Sequence, residues 1–228
     1  MSSTDEVRAL RTQVEELKHE LGILRDKDAI RRLHNTYGYL IDKCLYDEVV
    51  DLFFEQGQVR FLNGVFKGKA GARRLYAGRF RKAFAEGRNG PAHGQLLEHL
   101  QLQDVITIAP DRTSARARFR CFLHGGSHDT ARDQVPQYWE GGVYENTYVK
   151  EGGIWKIAAL NYNVFYHCPS ESGWAHTSPG YVAPLFSETF PKEPLGPDEL
   201  LPEGPKIWPD NRVVSFHYPH PVTGRPLP

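Results

Sequence analysis

The stretch GYLIDKCLYDEVVDLFFEQGQVRF, residues 38–61, changes its pattern three times and sets the fold class. Its first part closes a helix that begins near Asp28. Ile30, Leu33, Tyr37, Leu40, Ile41 and Cys44 make one apolar stripe at helical spacing. The phase breaks after Asp42, and YDEVVDLFF restarts as a short helix. QVRFLNGVFKG then reads as two strands around an Asn63–Gly64 turn. Downstream, AGARRLYAGRFRKAFAEG is helical, with Leu75, Tyr76, Phe80 and Phe84 on one face. From His93 the pattern turns to strands. GQLLEHLQLQDVITIAP is one long run. DRTSARARFRCFLHGG alternates Arg116, Arg118 and Arg120 against Ala115, Ala117, Phe119 and Cys121, which puts the arginines on the outer sheet face or at a subunit interface. YWEGGVYENTYVKEGGIWKIAALNYNVFYH reads as a hairpin about Glu151-Gly152-Gly153. Helices first and a mostly antiparallel sheet after them is an α+β layout.

Two flanks differ from this middle. Val7, Leu10, Val14, Leu17, Leu21 and Leu24 form a short heptad seam, read as a separate helix over residues 1–25. It packs either on its own domain or on a neighbouring subunit. Residues 168–228 hold most of the 16 prolines, a composition that favours disorder, yet they carry Trp174, Tyr181, Phe186, Phe190, Trp208, Phe216 and Tyr218. So many aromatic residues predict an ordered arm clamped across the domain or a neighbour.

Composition excludes several function classes. Acidic and basic residues balance at 28 each, so neither nucleic acid nor a membrane surface is the expected partner. The first residues lack an apolar signal-type core and no run approaches a membrane span. The three cysteines are widely spaced, fitting reduced thiols and a cytoplasmic setting rather than a disulfide framework. No glycine-rich nucleotide loop occurs. HGGSHD, with His124, His128 and Asp129, is read as a solvent loop rather than a ligand frame. No metal and no organic cofactor are expected.

IRRLHNTYGYLIDKCLYDEVVDLFFEQGQVRF, EHLQLQDVITIAPDRTSARA and GVYENTYVKEGGIWKIAAL, in that order, resemble the SnoaL-like branch of the nuclear transport factor 2-like (NTF2-like) superfamily. The resemblance covers about residues 26–167. It implies a cone, with three helices on a curved antiparallel sheet around a pocket. Members include cofactor-free dehydratases, isomerases, cyclases and a dehydrochlorinase. Several pair an aspartate at the end of the first cone helix with a histidine on a strand, and the matching positions are Asp42 and His99. Tyr144 stands about where the dehydratase of this group carries an amide, so its substrate contacts do not transfer. The arm, WPDNRVVSFHYPHPVTGRP especially, looks like that of bacterial lyases acting on lignin-derived diaryl compounds.

Read without the family, Asp42 is a solvated carboxylate, roughly 150° from the centre of the apolar stripe and beside Asn35 and Arg31. The helix end close by weakens that reading. His99 shares a strand face with Leu97, Gln101 and Gln103, where a core histidine is equally natural. With the family, Asp42 and His99 become a base pair, imidazole titrating near neutrality and carboxylate fixing its tautomer. Tyr144 is the expected acid, on one strand face with Asn146 and Tyr148. Tyr37, Tyr39, Tyr76, Phe80, Tyr138, Tyr148, Asn161 and His167 are the expected substrate-binding residues.

The expected activity is that of a cofactor-independent lyase on a small aromatic, hydroxylated molecule. Its sharpest form is deformylation of a diarylpropane-1,3-diol to a stilbene, releasing formaldehyde and water. A dehydratase, isomerase or cyclase acting on a polyketide- or steroid-like substrate would use the same parts. A non-catalytic binding or assembly module, and the small subunit of a ring-hydroxylating oxygenase, share the fold. A homo-oligomer, dimer or trimer, is the expected assembly.

Overall fold

In the computed structural model, which describes residues 3–128, 137–177 and 185–228, the chain opens with one uninterrupted helix. This helix, α1 (Ser3–Asp42), joins the seam segment and the first cone helix that sequence periodicity separates near residue 25. The change of stripe there marks a change of surroundings, not a break. Residues 4–21 are exposed, and burial begins at Gly22. The seam therefore does not pack on its own domain. Asp26 marks the crossing point. Its carboxylate accepts from Arg112 Nε (2.7 Å), Lys150 Nζ (2.7 Å) and Trp155 Nε1 (2.9 Å). Burial alone would raise its pKa, but these three donors outweigh it and hold the group down at about 2.

α1 ends in a Schellman motif. Leu45 N–H donates to Leu40 O (3.0 Å) and Cys44 N–H to Ile41 O (3.1 Å), with Cys44 at φ 53° where glycine is usual. A short helix, α2 (Tyr46–Asp51), follows, then strands β1 (Phe53–Phe61) and β2 (Gly64–Lys67). Their two-residue turn is Leu62–Asn63, one position earlier than expected, because Phe61 pairs with Gly64 and Leu62 takes the positive φ. Helix α3 (Gly68–Arg73), a π-helical segment (Arg74–Phe80) and α4 (Arg81–Phe84) form one continuous stretch.

Four long strands complete the cone: β3 (Gln95–Ile108), β4 (Ser114–Ser127), β5 (Gln137–Glu151) and β6 (Ile154–Pro169). With a two-residue β7 (Glu199–Leu200) the sheet order is β3-β4-β5-β6-β1-β2-β7. All neighbours are antiparallel except β6 and β1, which run parallel, so the sheet is mixed rather than wholly antiparallel. Register shifts at Gln101/Asp104, Gly141/Gly142 and Thr147/Tyr148 curl it. The β5–β6 turn falls on Gly152–Gly153, both at positive φ, as the sequence predicts. β4 buries Ala115, Ala117, Phe119 and Cys121 and turns Arg116 and Arg120 outward. HGGS is not a loop: β4 continues through Ser127, and His124 lies against Trp139 (5.3 Å between ring centres). Asp129 and Tyr181 lie outside the described residues. No group of three or more potential metal ligands gathers among the described residues.

The proline-rich arm clamps its own cone at four places. Asn63 closes a pair of hydrogen bonds with the Phe186 backbone (2.9 and 3.0 Å). Asp198 accepts from Lys67 N–H (2.7 Å) and from Arg74. Farther on, Trp208 N–H donates to Phe165 O (2.7 Å) on β6, and Arg118 donates to the carbonyls of Val214 and Ser215 (2.8 Å each) under the Phe216 ring. No helix among the described residues is long and apolar enough to cross a membrane.

Candidate active site

β3 is the edge strand of the sheet, and α1 lies along it. Contacts recur down the helix. Arg31 forks onto Asp104 (2.9 and 3.0 Å), and His34 Nε2 meets Gln101 Oε1 (2.8 Å). At Gly38 a methyl group would fall 2.8 Å from Gln101 Cγ and 3.3 Å from His99 O. One turn later Asp42 meets His99, and Lys43 pairs with Glu98 (3.0 Å). The face that a helical wheel assigns to solvent is therefore a second buried face, seated on β3.

Asp42 Oδ1 accepts two hydrogen bonds from the same residue, His99 N–H at 2.7 Å and His99 Nδ1 at 2.8 Å. Their side chains are 8% and 11% exposed, which keeps bulk water from screening the contact. A carboxylate on Nδ1 places that ring proton and leaves Nε2 as the nitrogen able to accept another. The His99 ring lines a cavity of about 180 Å³ inside the cone, with Asp42 behind it. A void of about 150 Å³ suffices for benzene, so this one takes an aryl ring with a short substituent.

A second histidine–carboxylate pair lines the same cavity. His167 Nδ1 lies 2.8 Å from Glu140 Oε2, and the Tyr138 ring packs on His167 at 4.8 Å. Between the pairs the walls are apolar and aromatic, including Ile41, Tyr46, Phe61, Leu123 and Leu160. Tyr37, Tyr76, Phe80, Tyr138 and His167, all expected at the substrate, are in this wall. Tyr37 and Tyr76 join through their hydroxyls (3.1 Å). Burial pushes both phenols far above the usual tyrosine range, so they act as donors, not bases.

Four expected residues lie elsewhere. Tyr39 is on the outer face of α1, 76% exposed. Tyr144 does face inward, but Tyr162 (4.6 Å) and His34 (4.9 Å) cover its ring, and it does not reach the cavity wall. Tyr148 is buried in a polar network instead. Its hydroxyl meets His34 Nδ1 (3.3 Å) and accepts from Asn146 Nδ2 (3.2 Å). Asn161 supports that network by donating its backbone N–H to Asn146 Oδ1 (2.9 Å). The narrow end of the cone is filled by side chains, so a residue on the inward face there is core.

The network ends under the site. His34 is fully buried, and burial lowers its pKa to about 3, so its ring is neutral. Neutral His34 donates from Nε2 to Gln101, and Gln101 Nε2 donates to His99 O (3.2 Å).

Glu140 and Tyr162 were missed from sequence. Strand parity puts Glu140 on the face of Tyr138, so the signal was available. Tyr162 shares parity with buried Leu160 but stands between Asn161 and Asn163, whose polarity masks the inward face. Its hydroxyl is buried close to Glu140 and Cys121, and burial raises its pKa well above the usual tyrosine range.

Residues 22–161, more than half of the chain, match the SnoaL-like domain family. The chain belongs to the SnoaL-like family. No curated protein matches it in sequence. Among solved structures this SnoaL-like chain is similar to a putative scytalone dehydratase from Novosphingobium aromaticivorans. Identity is 20% with a TM-score of 0.53, over 74% of this chain and 99% of that one. It is also similar to LinA (16%, TM-score 0.53, over 73% and 99%) and to a type 2 hexachlorocyclohexane dehydrochlorinase (19%, 0.52, over 72% and 99%). At these identities the likeness establishes the NTF2-like fold. Asp42, His99 and Glu140 fall within the matched family region, whereas Tyr162, His167 and the arm fall beyond it.

Proposed function

We propose that this protein is a cofactor-independent lyase or dehydratase that eliminates across a carbon–carbon or carbon–oxygen bond of a small aromatic alcohol. The observation that carries this reading is the Asp42–His99 contact at the wall of an aromatic cavity, faced by a second such pair, Glu140–His167. Membership of the SnoaL-like family and the likeness to a putative scytalone dehydratase and a dehydrochlorinase, named for eliminations, support it.

In the finer form of the proposal the substrate is a diarylpropane-1,3-diol. His99 Nε2 takes the proton of the terminal hydroxyl, while Asp42 holds the imidazolium that forms. The bond between the terminal and central carbons breaks and formaldehyde leaves. That electron pair becomes the new double bond as the benzylic hydroxyl departs. His167, held by Glu140, gives that hydroxyl a proton, so water leaves and a stilbene remains. This role passes to His167 from Tyr144, whose ring lies behind the wall. Return of a proton from His99 to His167 through solvent resets the site.

Purified, chelator-treated protein incubated with a panel of lignin-type dimers tests the proposal. New stilbene absorbance with equimolar formaldehyde is the expected result. Elimination products without formaldehyde remove the finer form. No product from any aromatic alcohol removes the lyase reading.

A further inference from the structure

A second recess of about 90 Å³ lies beside the first, and the Glu140–His167 pair lines both. Arg60, Phe61, Glu140, Tyr162 and His167 line both, so the two spaces adjoin across these side chains as two lobes. The outer wall of the second lobe is the arm: Pro205, Ile207 and Arg212 lie against β6, where Trp208 is pinned to Phe165.

Two guanidinium groups line this lobe, Arg60 from β1 and Arg212 from the arm. Neither forms an ion pair among the described residues. Glu140, the carboxylate in the same wall, is engaged by His167. Arg212 donates from Nη2 to Asn163 Oδ1 (3.2 Å), and among the described residues its buried Nε meets no hydrogen-bond partner. Two arginines so placed oppose each other. Burial, with the Arg212 charge adding to it, lowers the pKa of Arg60. Like charges and an unsatisfied buried donor in one recess call for a partner, and an anionic ligand would supply it to both guanidinium groups.

We propose that Arg60 and Arg212 form an anion subsite that seats an ionised oxygen, a carboxylate or phenolate, on the part of the substrate distal to His99. This rests on the reading that the first lobe takes an aromatic ring. It adds that the substrate is an acidic aromatic compound spanning both lobes, and that the arm is part of the binding site.

Calorimetric titration with biphenyl-4-carboxylate and its neutral counterpart, biphenyl-4-methanol, tests the subsite. Neither ligand reacts, so the result is independent of whether the lyase reaction occurs. The carboxylate is expected to bind at least tenfold more tightly, less so as salt rises. In Arg60→Gln/Arg212→Gln the preference should collapse to under twofold, while Arg60→Lys/Arg212→Lys keeps part of it. Thermal melting checks that both variants fold. With 4-phenylphenol, bound phenolate would show as its absorbance band at a pH where the free phenol is neutral. Equal binding of acid and alcohol, no binding of either, or a preference that survives the glutamine variant overturns the proposal. A protein that binds the acid through both arginines but turns over no aromatic alcohol would lose the lyase reading and keep the subsite.

Discussion

One oxygen of Asp42 holds both the backbone N–H and the imidazole Nδ1 of His99, at 2.7 and 2.8 Å. The carboxylate thus fixes where the strand sits as well as how the ring is turned. Replacement of His99 by alanine should lower kcat by roughly 10²–10⁴-fold, the usual range for a lost general base, with a small change in KM. Asp42→Asn keeps an acceptor but loses the charge that stabilises the imidazolium, so kcat should fall while the melting temperature barely moves. Steady-state kinetics on whichever aromatic alcohol is turned over measures both. Full activity in His99→Ala would end its assignment as base.

Gly38 sets how closely α1 approaches β3. A valine there would place Cβ 2.8 Å from Gln101 Cγ, and the backbone oxygen of His99 lies only 3.3 Å away. Lifting the helix costs about 1–3 kcal/mol, the usual range for overpacking. Chemical denaturation should report that loss. Turnover at a temperature where the variant is folded should fall as well, because the same shift draws Asp42 from His99.

Stability in acid depends on Asp26. Its pKa is about 2 in the folded protein against 3.8 ordinarily, so the stabilisation is complete above pH 4 and is lost as pH falls toward 2. The difference corresponds to about 2 kcal/mol. Denaturant unfolding of Asp26→Asn should show a deficit at pH 7 that shrinks at pH 3.

His34 acts in a higher range. Its folded pKa is about 3 and its ordinary value 6.5, so both states are neutral at pH 7. As pH falls below 6.5 the unfolded chain takes up a proton that the folded one refuses, and stability drops. Between pH 7 and 5 the drop should be about 2 kcal/mol in the wild type and absent in His34→Gln. Nitrogen chemical shifts of His34 should stay those of a neutral ring throughout.

The seam on α1 is uncovered: Leu10, Leu17 and Leu24 are 60%, 63% and 62% exposed. We propose that a second copy of the chain covers it, as the heptad spacing suits. Light scattering on Leu10→Glu/Leu17→Glu should give a smaller particle than the wild type, with the far-ultraviolet helix signal of the cone retained. An unchanged mass would end the proposal.

Much of the fold was legible because its signals are local. The stripe from Ile30 to Cys44, the alternation along β4 and the paired glycines at 152 and 153 each depend on a few neighbouring residues. Asp42 was harder. A helical wheel assumes one buried face, whereas α1 has two, and the second is polar because it matches a polar strand edge. Tyr144, Tyr148 and Asn161 show the opposite problem. Parity says which way a strand residue faces but not how deep in the cone it lies. The Glu140–His167 pair joins residues on two strands whose register slips at Gly141/Gly142, so sequence spacing carries no trace of their contact.

The unbroken run of α1 makes it a lever. Asp26 is its pivot on the cone, and Asp42 lies 16 residues beyond, about 24 Å at 1.5 Å per residue. A tilt of the rod by about 2° would swing the carboxylate by roughly 0.8 Å, and misplacement on that scale degrades a reacting geometry. Arg31, His34 and Gly38 seat the same helix on β3 between those two points, so they are what holds the tip against that swing.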